Sequence, residues 1–283
     1  MRTEQEMMNL ILDTAKGDDR VRAVIMNGSR ANPNAPKDIF QDYDIVYIVK
    51  NIESFLAEHN WIDVFGKRII LQMPETMRHP MGDGRFIYLM LFDDGNRIDL
   101  NLLPLEKYKA LLDNDSESIL LLDKDGIIAP FPAASDKDYY VKKPTKLEYE
   151  SCCNNFWWCT QNVAKGIWRD ELPYAMFMLN AEVKAELDYM IQWYIGTENS
   201  FTVSAGKQGK YYKQFLDSCH YTQYKKVYPD SNYSHMWDSL FSACDLFKEL
   251  ALTVGKHFGF VYPAEDDKNM TAYLKEVQKL PPQ

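Results

Sequence analysis

Two aspartates, Asp42 and Asp44, lie one residue apart in a run that predicts a β-strand. Because alternate side chains of a strand point to the same face, both carboxylates are expected on one side, with Tyr43 and Ile45 on the other. Like charges this close repel each other, and a divalent cation removes that cost. Mg²⁺ is usually held by one or two carboxylates together with the phosphate oxygens of a substrate. The pair therefore predicts a metal site for phosphoryl chemistry.

A third carboxylate, Asp99, lies in the alternating run 97–102, whose odd positions are polar and whose even positions are apolar. This pattern places Asp99 on the polar face of a strand expected beside that of Asp42 and Asp44. Three carboxylates from two strands can hold two metal ions, which would stabilise the attacking and leaving oxygens of an in-line displacement. Alternatively, Asp99 is the general base that deprotonates an acceptor hydroxyl. The pattern leaves both roles open.

Gly28, Ser29 and Arg30 follow a β-branched run, and Asp42 comes after a spacer of twelve residues, 30–41. Glycine lets the backbone approach a phosphate, and the helix expected to open here offers free N–H groups. Ser29 can donate to a phosphate oxygen, and Arg30 can add a charge-assisted contact or instead form a surface salt bridge. The three residues predict a phosphate-binding loop.

The elements that must position these residues alternate between strands and helices in the first half of the chain. Asp94 and Gly95 are a turn signal, so the runs on either side of them are expected to form a hairpin. The runs predict strands over 21–26, 43–49, 68–72, 86–92, 97–103 and 119–122, and helices over 5–16 and 105–112.

The second half of the chain is predicted to be helical. Residues 124–145 contain Gly126 and three prolines, which indicate a break between domains. We therefore expect one domain over 1–135 and an all-helical one over 136–283. Helical periodicity is clear over 145–168, 173–195, 209–216 and 234–258.

Composition narrows the class of protein. Of 283 residues, 46% are hydrophobic, which is enough for a real core, yet no apolar run is long enough to span a membrane. The N-terminus lacks the order of a signal peptide, and five scattered cysteines suggest free thiols in a reducing compartment, so a cytoplasmic protein without a membrane partner is expected. The net charge of −9 counts against a nucleic-acid partner. His79 and His220 lack partners at metal spacing and are expected at the surface.

The order strand, Gly-Ser, spacer, Asp-x-Asp and later strand aspartate resembles the DNA polymerase β-like nucleotidyltransferase superfamily. Within it, the chain is similar to the bacterial aminoglycoside (streptomycin) 6-adenylyltransferases over residues 1 to about 262. The similar stretches are Gly-Ser-Arg at 28–30, Phe-Gln-Asp-Tyr-Asp at 40–44, Phe-Gly-Lys-Arg at 65–68, Asp-Gly-Asn-Arg-Ile-Asp-Leu at 94–100 and Cys-Asn-Asn-Phe-Trp-Trp at 153–158.

The resemblance implies transfer of AMP from MgATP to a streptomycin hydroxyl, which would inactivate the antibiotic. It implies an α+β fold, in which a nucleotidyltransferase domain with a mixed β-sheet and flanking helices precedes an all-helical substrate-binding domain. The resemblance assigns the metal-binding pair to Asp42 and Asp44 and the third acidic position to Asp99. It assigns the nucleotide loop to residues 28–30.

A Gly-Lys segment at 204–213 also resembles one in these enzymes, and the resemblance implies that Lys207 or Lys213 reaches the triphosphate. Lys207, Lys210 and Lys213 are spaced to share one broad helical face, so a solvated charged face is the alternative interpretation.

Two other functions stay open. The same chemistry can act on another small molecule, a protein side chain or a nucleic-acid end, and the sequence does not distinguish ATP from GTP. The second open function is that of a non-catalytic nucleotide-binding protein on the same fold. Three mutually repelling carboxylates argue against it, because a protein without catalysis has no need to keep them together.

Overall fold

A computed structural model describes residues 1–111 and 116–281 of the chain. The chain forms two compact units, Met1–Asp138 and Tyr139–Gln283, each with a hydrophobic core of its own. The boundary expected after residue 135 stays a prediction. The last residue of the helix predicted over 105–112 lies outside the described residues.

The first unit is built on a mixed sheet whose strand order, within the described residues, is β3-β4-β5-β2-β1-β6. Strands β2 and β5 run parallel, and the other neighbouring pairs run antiparallel. The strands are Val21–Asn27 (β1), Tyr43–Val49 (β2), Arg68–Gln72 (β3), Phe86–Phe92 (β4), Arg97–Pro104 (β5) and Ser118–Asp123 (β6).

Strand β2 lies inside the sheet, between β5 and β1, and nearly all of its side chains are apolar. All of its residues except Asp44 are buried, as expected of a strand covered on both faces. Strands β4 and β5 instead alternate between buried and partly exposed residues. One face of these strands belongs to the core, and the other face, which carries Asp99, is more open.

Helix α1, Glu4–Gly17, covers the core face of this sheet. Thr3 and Glu6 form a reciprocal capping box at its start, and its buried residues Met7 and Ile11 belong to the core cluster that contains Tyr47. The Tyr47 hydroxyl donates to the backbone oxygen of Ile11 at 2.5 Å, which fixes the helix on the sheet. The helices of the first unit are α1 (Glu4–Gly17), α2 (Glu53–Leu56) and α3 (Tyr108–Leu111).

The second unit packs long helices around aromatic side chains. Phe156 is fully buried and stacks on Phe247 with 3.8 Å between ring centroids. Gly259, in the left-handed conformation at φ 73°, ends the longest helix. The helices are α4 (Lys146–Trp168), α5 (Leu172–Phe177), α6 (Lys184–Glu198), α7 (Tyr212–Phe215), α8 (Ser218–Lys226), α9 (Tyr233–Phe258) and α10 (Ala264–Gln278).

Several helix bounds differ from the sequence prediction. The helix predicted over 173–195 is interrupted by a π-helical turn, Met178–Val183, in which the Asn180 side chain donates to the backbone oxygen of Met176. The helix predicted over 209–216 is a single turn, because Gly206 and Gly209 hold positive φ angles just before it. Helices α8 and α10 were not predicted.

The surface position expected for His220 is wrong. This side chain is buried, with Nδ1 against Asp217 and Nε2 at 3.2 Å from Glu249. Asp217 gives Nδ1 a hydrogen-bond partner, whereas Nε2 lies near Glu249 without a hydrogen bond to the described residues. A partner from another helix leaves no signal in the local sequence.

The predicted α+β class is confirmed, since a mixed sheet in the first unit precedes a helical second unit. None of the helices among the described residues is long and apolar enough to cross a lipid bilayer.

Candidate active site

The parallel pairing of β2 and β5 brings two of the predicted carboxylates together. Asp44 and Asp99 are direct partners in the register of these strands, so both side chains leave the same face of the sheet. Asp42 immediately precedes β2, and its side chain is 33% exposed, compared with 20% for Asp99. The three carboxylates therefore lie at one end of the parallel pair, as the alternation of residues predicted.

Burial and mutual repulsion act on the aspartates of β2. Burial, together with the negative charges of Asp99 and Asp42, raises the pKa of Asp44 to about 6. Burial is also the main cause of a raised pKa at Asp42, which Arg97 opposes. Carboxylates whose charged forms are disfavoured by one another are suited to a cation, because a cation reverses the sign of the local field.

The glycine of the predicted phosphate loop lies directly against this cluster. Asn27, the last residue of β1, pairs with Asp44, and Gly28 follows at φ 73°. A Cβ atom at position 28 would lie 2.4 Å from Asp44 Oδ2. Only glycine therefore allows the loop and this carboxylate to approach so closely.

The helix expected to open at this loop is a single 3₁₀ turn. Residues Gly28–Arg30 form one 3₁₀ turn, which Ala31 closes by donating to the Gly28 carbonyl. The Ser29 hydroxyl makes no hydrogen bond to the described part of the chain, so it is free to donate to a ligand. The predicted nucleotide contacts of Gly28 and Ser29 stay predictions.

Arg30 binds the backbone next to the carboxylate cluster. Its guanidinium donates to the backbone oxygens of Gln41 and Asp42 at 2.8–3.2 Å and stacks over the Tyr43 ring at 3.8 Å. With a side chain only 9% exposed, Arg30 holds the segment that leads into Asp42. Its predicted contact with a nucleotide stays a prediction.

Sequence reasoning missed Arg97, which contacts two of the three carboxylates. Its guanidinium donates to both oxygens of Asp99 at 2.7 and 2.6 Å and lies 3.2 Å from Asp42 Oδ2. A signal was present, because the alternation that put Asp99 on the open face puts Arg97 on the same face.

Comparison with known proteins identifies the family. A family model described as streptomycin adenylyltransferase matches residues 1–277. The chain is 39% identical to an aminoglycoside 6-adenylyltransferase of Bacillus subtilis, with 98% of each chain covered. It is 40% identical to another from Campylobacter jejuni, with 99% of this chain and 97% of that protein covered. The chain belongs to the streptomycin adenylyltransferase family.

A crystal structure of an aminoglycoside 6-adenyltransferase from Bacillus subtilis is also similar to this chain, with 35% identity and a TM-score of 0.49. The match covers 99% of this chain and 100% of that one. As a member of the streptomycin adenylyltransferase family, the chain is a nucleotidyltransferase that uses a nucleotide co-substrate, and both expectations are confirmed.

The carboxylates of this family member suit a divalent metal ion in chemistry and charge. Asp42, Asp44 and Asp99 offer hard oxygen ligands of the kind that Mg²⁺ prefers, and Asp44 and Asp99 leave the same face of the sheet. Among residues 1–111 and 116–281, however, no three acidic, histidine or cysteine side chains surround one point closely enough to hold a metal. Arg97 holds Asp42 and Asp99 instead.

The two lysines that the family resemblance singled out lie in the second unit. Lys207 begins a 3₁₀ turn, Lys207–Gly209, in which Gln208 has a positive φ of 54°, and Lys213 lies in α7. Both side chains are exposed. The idea that they share one helical face is therefore wrong, and their predicted contact with the triphosphate stays a prediction.

Proposed function

We propose that this adenylyltransferase transfers AMP from MgATP to a hydroxyl of an aminoglycoside, with streptomycin as the first substrate to test. The observation that carries the proposal is the pairing of Asp44 with Asp99 beside the glycine loop, in a chain of this family. The relatives named aminoglycoside 6-adenylyltransferase, which are similar over nearly their whole length, support the choice of acceptor.

Each part of the site has a task in this reaction. Asp42 and Asp44 would hold Mg²⁺, which neutralises charge on the triphosphate when bound. Gly28 lets the backbone approach the phosphates, and the free Ser29 hydroxyl donates to a phosphate oxygen. Arg30 fixes the backbone before Asp42. Positioning and charge stabilisation then supply most of the rate.

The deciding experiment measures pyrophosphate release with MgATP, with and without streptomycin, and the mass of the product. We expect release that depends on streptomycin and a product heavier by one AMP. Replacing ATP by GTP in a parallel reaction tests which nucleobase the enzyme accepts. Turnover only with a different acceptor would overturn the assignment of streptomycin as the substrate. The absence of turnover with any acceptor would overturn the proposed adenylyl transfer.

Asp42→Asn tests the metal-binding role within this reaction. We expect a loss of at least about a hundredfold in kcat/KM, since a ligand of the ion that would neutralise charge on the triphosphate is lost. Asp63→Asn is the matched control, because Asp63 pairs with Arg68 on the surface of the same unit. Wild-type activity in Asp42→Asn would contradict the assignment.

Asp99→Asn separates the two roles left open for that residue. If Asp99 is a ligand, the variant binds Mn²⁺ more weakly in a nucleotide-free titration. If Asp99 is the general base, Mn²⁺ affinity stays close to that of the wild type while kcat falls.

A further inference from the structure

Arg97 makes an unusually complete contact with the carboxylate cluster. Nε donates to Asp99 Oδ1 at 2.7 Å, and a terminal nitrogen donates to Oδ2 at 2.6 Å, which is the bidentate fork typical of arginine. The other terminal nitrogen lies 3.2 Å from Asp42 Oδ2. One guanidinium thus engages both oxygens of Asp99 and one oxygen of Asp42.

The charge of Arg97 acts on all three carboxylates. Its positive charge lowers the pKa of Asp42 and of Asp44, against the burial that raises both. In turn, the hydrogen bonds to Asp99 and the charges of Asp42 and Asp44 raise the pKa of Arg97. The cluster therefore already contains one positive charge of its own.

This contact also explains why the carboxylates do not converge. Both oxygens of Asp99 are hydrogen-bonded to one side chain, so neither points freely toward the space beside Asp44. Arg97 has a side chain 42% exposed, so it has room to swing away from the sheet without disturbing the core. Asp42 and Asp99 can turn toward a cation only when the fork opens.

We propose that Arg97 is a positioning residue that serves as the built-in counter-ion of Asp42, Asp44 and Asp99. It holds the cluster together in the metal-free protein and competes with a divalent cation for the oxygens of Asp42 and Asp99. This inference rests on the proposed metal site, and it adds that the affinity of that site is limited by a side chain of the protein.

The test is a Mn²⁺ titration of the full chain without nucleotide, in which electron paramagnetic resonance measures the concentration of the free ion. We expect Arg97→Gln to bind Mn²⁺ roughly tenfold more tightly than the wild type, because a competing positive charge a few ångströms from the ion is removed. Arg97→Lys keeps the charge without the fork, so its affinity should lie between those of the wild type and Arg97→Gln.

Arg85→Gln is the matched control. Arg85 contacts one carboxylate oxygen of Asp83, two residues away, and it lies in the same unit outside the cluster. This variant should bind Mn²⁺ with the affinity of the wild type. A thermal melt in a metal chelator gives a second measurement, in which Arg97→Gln should melt below the wild type and recover when Mn²⁺ is added.

Two results would overturn the inference, and they differ in meaning. Unchanged or weaker binding by Arg97→Gln, with binding lost in Asp42→Asn, would show that Arg97 does not compete while the metal site stands. Equal Mn²⁺ binding by the wild type and Asp42→Asn would remove the metal site itself, and the inference with it. Far-UV circular dichroism of each variant shows whether it is folded.

Discussion

Gly28 is the residue whose chemistry is most restricted by its surroundings. Its φ of 73° lies in the left-handed region, and a Cβ there would lie 2.4 Å from Asp44 Oδ2. The backbone conformation and the neighbouring carboxylate thus exclude a side chain for two independent reasons. Gly28 therefore couples the conformation of the loop to the position of the Asp44 carboxylate.

Gly28→Ala should therefore lower kcat/KM by more than about tenfold, because the methyl group displaces Asp44 or the loop. The backbone strain should cost about 1 kcal/mol of unfolding free energy. Steady-state kinetics with MgATP and urea unfolding measure the two effects.

Gly126→Ala is the control for Gly28→Ala. Gly126 has a φ of 65°, and nothing lies within 4 Å of a Cβ built there. It should therefore show the strain cost without the loss of activity. Equal activity of the two variants would contradict the close approach to Asp44.

The three acidic positions could be predicted from residue alternation, but their counter-ion was overlooked. Alternation within a strand gives the face of a side chain, and this placed Asp44 and Asp99 together correctly. It does not say which groups on that face bond to one another, as the fork of Arg97 shows. The inward turn of Arg30 also depends on a neighbour, the Tyr43 ring, that spacing does not reveal.

At the scale of elements, the hairpin of β4 and β5 was predictable because it is local. Its turn, at Asp94 and Gly95, also anchors the N-terminus of the chain. The backbone nitrogen and Nε of Arg2 donate to Asp94 Oδ2 at 2.9 and 2.8 Å, and Asn96 donates to the same carboxylate. The parallel pairing of β2 with β5 was expected only in part, since the direction and order of strands depend on contacts between distant residues.

Asp94→Asn should lower the unfolding free energy by about 1–3 kcal/mol at pH 7, the usual range for a lost hydrogen bond to a charged group. The Arg2 contacts hold the pKa of Asp94 well below its usual range. The carboxylate therefore stabilises the protein above the pKa of about 3.9 found in unfolded chains, and this stabilisation is lost as the pH falls through the lower folded value.

Urea unfolding of Asp94→Asn and the wild type at pH 7 and pH 3 measures that difference. The gap between the two proteins should narrow at the lower pH. Asp13→Asn is the control, because Asp13 is 73% exposed and its nearest cation, Lys16, lies 3.6 Å away. A gap that widens on acidification would contradict the role of Arg2.

At the scale of the whole molecule, two compact units each contain a separate core. The strand-like runs and the helical periodicity predicted an α/β half and a helical half. They did not predict the π-helical turn of Met178–Val183, since Leu179 and Val183 inside it have the i, i+4 spacing of one face of an uninterrupted α-helix.

Phe156→Leu should destabilise the protein by about 1–2 kcal/mol, because it leaves a void and removes the stacked contact with Phe247. Mn²⁺ binding by the folded variant should match that of the wild type, since the three carboxylates lie in the first unit and Phe156 in the second. Urea unfolding and the metal titration check both parts. Weaker metal binding in the fully folded variant would contradict the independence of the two cores.

The pairing of β2 with β5 also decides when in folding the site can exist. Strands β3, β4 and β5 are neighbours both along the chain and in the sheet, as are β1 and β2, so each group can assemble from nearby residues. Asp44 and Asp99 meet only where the two groups join, through a closure that spans a long stretch of chain. A nascent chain that has not yet emerged through β5 therefore carries Asp42 and Asp44 without Arg97 and Asp99, and the carboxylate cluster is complete only once β5 has paired with β2.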